Sequence, residues 1–260
     1  MSDLRSWRDV RYPYPDLDAV LGPMIPGQVV TVTGSPGSGR SMFVHDLCRA
    51  AAIAQGRSVL LVTGRIPVAE VGVRLLSAEA RVSRSRLRSG ELHQPDDNRL
   101  AAAEAAIRAS RLVVLEAPPD ARRLMSSIHH AWLAHDLDLV VIDDADDLAA
   151  GGHDQPSVVA ALARGATSMQ LPIVATGGLR RLEPAPEEPT EREVWGPPGD
   201  DGVAVSVAIH VPDLFKGESA RPGEADLVVR RRDADPVTIS LSFQAHYSRF
   251  TGMARPSGGS

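Results

Sequence analysis

The chain has 260 residues, of which 43% are hydrophobic and 23% charged, with a formal net charge of −5. These values suit one large α/β domain with a substantial core and argue against bulk nonspecific nucleic-acid binding, while leaving room for a local basic face. No apolar run is long enough to span a bilayer, Met1-Ser2-Asp3-Leu4-Arg5 opens no signal peptide, and the lone Cys48 has no intrachain partner, so a cytoplasmic protein is expected.

Residues 1–27 read as a polar, Pro-rich lead-in, with a flexible N-terminus over 1–11. The apolar run Val29-Val30-Thr31-Val32-Thr33 predicts a strand, and an amphipathic helix follows over about 41–55, stopped by Gly56. Ser58–Thr63 predicts a second, fully buried strand. Pro67 opens a helix over 67–80 with Val68, Val71, Leu75 and Leu76 on one face, and another helix spans about 96–109. Leu112–Leu115, Leu137–Asp144 and Ile173–Thr176 are further strands, separated by helices over 120–135 and 156–169. Strands alternating with helices predict a mainly parallel, doubly wound sheet. Residues 182–202 are rich in Pro and Glu and read as a mobile loop. Val203–Val211, Ala225–Arg231, Val237–Phe243 and Tyr247–Phe250 then suggest an antiparallel C-terminal extension, and 252–260 a disordered tail.

Between the first strand and its helix lies Gly34-Ser35-Pro36-Gly37-Ser38-Gly39-Arg40-Ser41. Strand, Gly-rich turn and helix are the context of a phosphate-binding P-loop, whose pattern is G-x-x-x-x-G-K-[ST]. Glycines let the backbone wrap an anion, and the first N–H groups of the helix point at it. Every fixed position matches except Arg40, which replaces the lysine. Two readings of Arg40 stand. Lys216 is the only lysine among 28 basic residues, so drift toward arginine is one. The other is functional, because a bulky guanidinium fork does not replace a compact ammonium at the β- and γ-phosphates. The strand ending in Asp143 supplies a carboxylate that can hold Mg²⁺ through water, with Ser41 as hydroxyl ligand, so ATP and Mg²⁺ are the expected cofactors. The eight histidines show no metal-ligand spacing.

The sequence resembles the C-terminal, RecA-like motor domain of replicative DnaB-type helicases (superfamily 4) over about residues 12–251. The resemblance is carried by Tyr14-Pro15-Asp16-Leu17-Asp18, the P-loop, Arg74-Leu75-Leu76-Ser77-Ala78-Glu79-Ala80-Arg81-Val82 with Leu87-Arg88-Ser89-Gly90, and Leu139-Val140-Val141-Ile142-Asp143. Leu171-Pro172-Ile173-Val174-Ala175 and Phe243–Phe250 complete it. It implies a RecA-like P-loop NTPase core, nucleotide bound between subunits of a homo-oligomer, an arginine finger from a neighbour, and translocation on single-stranded DNA. The family's amino-terminal domain and linker helix are not expected in this chain.

By the same resemblance the catalytic glutamate falls at Arg65, the glutamine after the fifth strand at Gly178, and an earlier glutamine at Asp146, while the metal-associated aspartate remains as Asp143. A cation cannot act as a general base. Arg65 reads either as a γ-phosphate contact or as an exposed arginine at a strand end. The finger falls at Asp233, or at Arg232 if the alignment slides by one. Arg180 and Arg181 are candidates for DNA phosphate contact, although the acidic residues of 182–202 would repel that backbone. Arg84, Arg86 and Arg88 form a second basic cluster, read either as a further DNA contact or as a solvated face. Three functions remain in view: a nucleotide-binding relative with weak or absent hydrolysis, acting in an oligomer or beside a helicase-like partner; a working helicase or translocase in which Asp144 or Asp146 positions water; and a protein-interaction module without nucleotide.

Overall fold

A computed structural model describes residues 8–118, 120–145, 155–177, 203–214, 221–232 and 234–253. Its centre is a nine-stranded sheet formed by β1 (Val29–Gly34), β2 (Val59–Thr63), β3 (Leu112–Glu116), β4 (Leu139–Asp143), β5 (Ile173–Thr176), β6 (Val203–His210), β7 (Glu224–Arg231), β8 (Ala234–Gln244) and β9 (Arg249–Gly252). The strand order is β3-β2-β4-β5-β1-β6-β7-β8-β9. The helices are α1 (Pro15–Leu21), α2 (Arg40–Arg49), α3 (Val68–Ala80), α4 (Arg84–Ser89), α5 (Gln94–Ala109), α6 (Ala121–His135) and α7 (Gln155–Met169). A turn of π-helix, Ala50–Ala54, prolongs α2.

The continuous apolar runs are explained by the two covered faces of the sheet. Alternate residues of each central strand point to opposite sides. Val30, Val32, Leu61, Val141 and Val174 pack with Phe43 and Leu47 of α2 and Val71 of α3. Val29, Leu60, Val62, Val140, Ile142 and Ile173 pack with Leu124 and Ile128 of α6 and Leu162 and Ala166 of α7. Each fully buried side chain of this size contributes about 1.5–3 kcal/mol.

Three features depart from the sequence expectations. β6 pairs parallel to β1, so Val203–Val211 joins the parallel part, and the antiparallel pairings are β6–β7, β7–β8 and β8–β9. Alternation marks a strand but not its direction, which is set by the edge of the sheet at which the chain re-enters. The strands expected at Val237–Phe243 and Tyr247–Phe250 are present as β8 and β9, joined by the 3₁₀ turn Ala245–Tyr247 with Phe243 opposite Phe250. Within the lead-in, α1 forms behind Tyr14, with Pro15 in its first turn. Val10 is fully buried and the Arg11 N–H donates to Gln55 Oε1 (2.9 Å), so the end of the N-terminal segment is tied to the domain. Finally, the short helix α4 begins at the N-cap Ser83, whose hydroxyl accepts from the Arg86 N–H.

Candidate phosphate-binding site

The site begins where β1 runs out. The Ser38 N–H closes a turn onto Ser35 O (3.0 Å), and the Phe43 N–H bonds Gly39 O (2.9 Å) as α2 starts. Gly39 is the N-cap of α2 and is left-handed, at φ 90°. A Cβ there would lie 2.7 Å from Phe250 Cζ and 3.0 Å from Phe243 Cε2. Only glycine satisfies both the dihedral and the close approach. The two rings, with centroids 5.3 Å apart, thus back the loop from β8 and β9. The C-terminal strands thereby fix the loop where α2 begins.

In front of the loop lies a pocket of about 430 Å³ whose lining includes Ser35, Gly37, Arg40, Ser41, Arg65, Arg74, Arg84 and Asp144. Arg65 reaches it because the turn after β2 presses on the turn after β4. The Gly64 N–H donates to Asp143 O (2.9 Å), and a Cβ on Gly64 would sit 2.9 Å from Asp144 O. Arg65 Nε then lies 2.9 Å from Asp144 Oδ2, with the Arg65 side chain 61% exposed. Asp144 itself has φ 70°, a strained conformation held by its N–H donating to Thr176 Oγ1 (2.7 Å).

Asp143 sits at the floor, 2% exposed. Its Oδ1 accepts from Ser41 Oγ (3.0 Å) and from Thr176 Oγ1 (2.8 Å), and its Oδ2 lies 3.5 Å from His45 Nε2. Burial pushes the carboxyl pKa up, but the His45 imidazole and the Thr176 and Ser41 hydroxyls outweigh it and hold it below the ordinary 3.8. Ser41 and His45 are one helical turn apart on α2, so both meet β4.

Do these residues fit the expected Mg²⁺? Ser41 and Asp143 are adjacent and both offer oxygen, as a hard cation requires. Yet Asp143 already accepts two hydroxyl protons and faces an imidazole, and Arg65 engages the neighbouring carboxylate. Among the described residues no group of three or more His, Cys, Asp or Glu side chains could hold a metal ion. The surroundings are those of an anion site, and they fit a divalent cation poorly.

Of the residues singled out in the sequence, Gly34 to Ser41, Arg65 and Asp143 come together. Arg232 does not. It follows β7, whose Arg231 pairs with Val205, and Val205 pairs with Val30 near the start of β1. That is the end of the sheet opposite the loop, so Arg232 cannot reach its own chain's pocket. Arg180, Arg181, Gly178, Asp146, Asp233 and the acidic stretch 182–202 lie outside the described residues. Sequence reasoning misses His45, Thr176, Arg74 and Arg84. The i, i+4 spacing from Ser41 is the available signal for His45.

The description "DnaB-like helicase C terminal domain" belongs to the family whose model matches residues 10–192. Replicative DNA helicase DnaB of Leifsonia xyli subsp. xyli is 28% identical over 261 residues, covering 93% of this chain and 55% of that protein. Its counterpart from Mycobacterium leprae is 29% identical over 232 residues, covering 81% of this chain and 37% of that protein. The chain therefore spans about half, or less, of the curated relatives it matches. Two solved structures share the fold at 16% identity. A DnaB-like replicative helicase, described with its interactions with primase, has a TM-score of 0.83 over 95% of this chain and 62% of its own. The second, described as an ATPase domain, has a TM-score of 0.81 over 95% of this chain and 92% of its own. A family match across most of the sequence, including the loop Gly34–Ser41, agrees with the RecA-like sheet: the chain belongs to the DnaB-like helicase C-terminal domain family.

Proposed function

We propose that this chain binds a nucleoside triphosphate such as ATP at the loop Gly34–Ser41 and hydrolyses it weakly or not at all. Residues 12–251 would act as one core domain with a regulatory or structural role in DNA replication. It would work in an oligomer of its own or beside a helicase-like partner on single-stranded DNA. The observation that carries this reading is Arg65. By resemblance a glutamate is expected there to orient the attacking water, and a guanidinium paired with Asp144 at 2.9 Å cannot accept a proton. Arg40, in the lysine position, covers the phosphates without reproducing a lysine's geometry. Ser41 and Asp143, the oxygen ligands expected for Mg²⁺, are engaged with each other and with Thr176 and His45.

A working translocase is the second reading, favoured only by Asp144, an acid at the pocket, which Arg65 already engages. Isothermal titration with a slowly hydrolysed ATP analogue tests nucleotide binding. Saturable one-site binding is expected, and heat no greater than dilution would leave a protein-interaction module as the surviving reading.

A further inference from the structure

The pocket is unusually rich in guanidinium groups. Arg40 comes from the loop, Arg65 from the turn after β2, Arg74 from α3 and Arg84 from α4, and all four line it. Asp144 is the one acidic residue lining it among the described residues. Behind it, Glu70 is shared by three cations: Arg74 Nε at 3.1 Å, Arg88 Nη2 at 2.8 Å and Arg84 Nη1 at 3.7 Å. One carboxylate cannot neutralise three guanidiniums. Burial, then Arg74, and also Arg88 depress the Arg84 pKa, against a smaller opposing pull from Glu70. Arg84 Nε is buried without a hydrogen-bond partner among the described residues. On the other side, the carboxylate expected to serve a metal is taken up by Ser41, Thr176 and His45. Cation-rich walls whose one lining carboxylate among the described residues, Asp144, is paired with Arg65 suit a polyanion that brings no metal with it, because guanidinium forks pair with phosphate oxygens in bidentate fashion.

We propose that the pocket takes the nucleotide's polyphosphate as the metal-free anion, with Arg40, Arg65, Arg74 and Arg84 supplying the positive charge that a divalent cation would otherwise provide. The inference rests on the nucleotide reading above and adds how the charge is balanced.

Equilibrium anisotropy titration of the full chain with a fluorescent ATP analogue, once with excess Mg²⁺ and once with excess EDTA, tests it. The Kd in EDTA is expected to equal that in Mg²⁺ or fall below it. A Kd weakened more than about threefold by EDTA overturns the inference and leaves nucleotide binding intact. Absence of binding in both conditions overturns both. Arg84→Ala should weaken binding in EDTA by about tenfold with an unchanged circular dichroism spectrum. Arg88→Ala, which shares Glu70 but does not line the pocket, should keep the wild-type Kd. Equal losses in the two variants would mean that the cluster only holds the α3–α4 corner together, and would overturn the inference as well.

Discussion

Helix α2 serves two buried aspartates, and they behave in opposite ways. Asp46 lies on α2 itself and is 1% exposed. It accepts from Tyr14 Oη (2.9 Å), from the Phe250 N–H (2.7 Å) and from Arg49 Nη2 (3.0 Å). Burial raises its pKa above 3.8 despite these partners. Asp143 is equally buried but is held below 3.8 by His45, Thr176 and Ser41. Asp46 draws its partners from the lead-in, the helix and the last strand, so it closes the fold. Of the partners of Asp143, Ser41 belongs to the phosphate-binding loop and lines a pocket walled by arginines. Both carboxylates tie distant segments together; what sets Asp143 apart is this partner from the loop.

This contrast can be broken most forcefully at Asp46. Asp46→Ala leaves Arg49 and the Tyr14 hydroxyl without their shared acceptor and should cost about 3 kcal/mol or more in chemical denaturation. Nucleotide affinity per folded molecule should stay within the wild-type range. Gly39→Ala should cost about 1–3 kcal/mol through its φ of 90° and the contact with Phe250, and should abolish analogue binding, because the loop must shift. Tyr14→Phe should cost about 1 kcal/mol by urea titration, the value of one hydrogen bond. Burial, then Asp46, hold the Tyr14 hydroxyl well above its ordinary 10.0. The unfolded chain therefore ionises first, and the stability contributed is complete below about pH 10 and lost as pH rises beyond it. The variant should show a shallower alkaline limb.

Asp143→Asn should have a smaller effect. Removing a negative charge beside the loop should tighten metal-free analogue binding by roughly 0.5–1 kcal/mol, read in the anisotropy titration. The depressed pKa of Asp143 contributes stability that is present above pH 3.8 and lost as pH falls below it, so the same variant should also soften acid unfolding.

The parallel core is legible in the sequence because Val29–Thr33, Ser58–Thr63 and Leu139–Asp143 are continuous apolar runs, a pattern that only a doubly covered sheet requires. The direction of β6 is not legible, since Val203–Val211 alternates identically in either orientation. Helix α1 is hidden by the prolines around it, and α4 is too short to show a period. Within the site, the loop and Asp143 announce themselves by motif and by a strand ending in acid. His45 does not, because its contact depends on how α2 is rotated against β4. The triplet Arg84, Arg86 and Arg88 reads as one basic cluster. Folded, Arg84 lines the pocket, Arg86 pairs with Asp96 and Arg88 pairs with Glu70. No one-dimensional pattern separates those three fates.

The proposed binding of ATP at Gly34–Ser41 with weak or absent hydrolysis can be tested in one measurement. The most direct test mixes trace labelled ATP with excess protein, with Mg²⁺ and single-stranded DNA present, and follows ADP formation over time. Intact ATP should be recovered from the bound fraction after many minutes. Conversion at roughly one per second or faster, abolished by Asp143→Ala, would contradict the proposal.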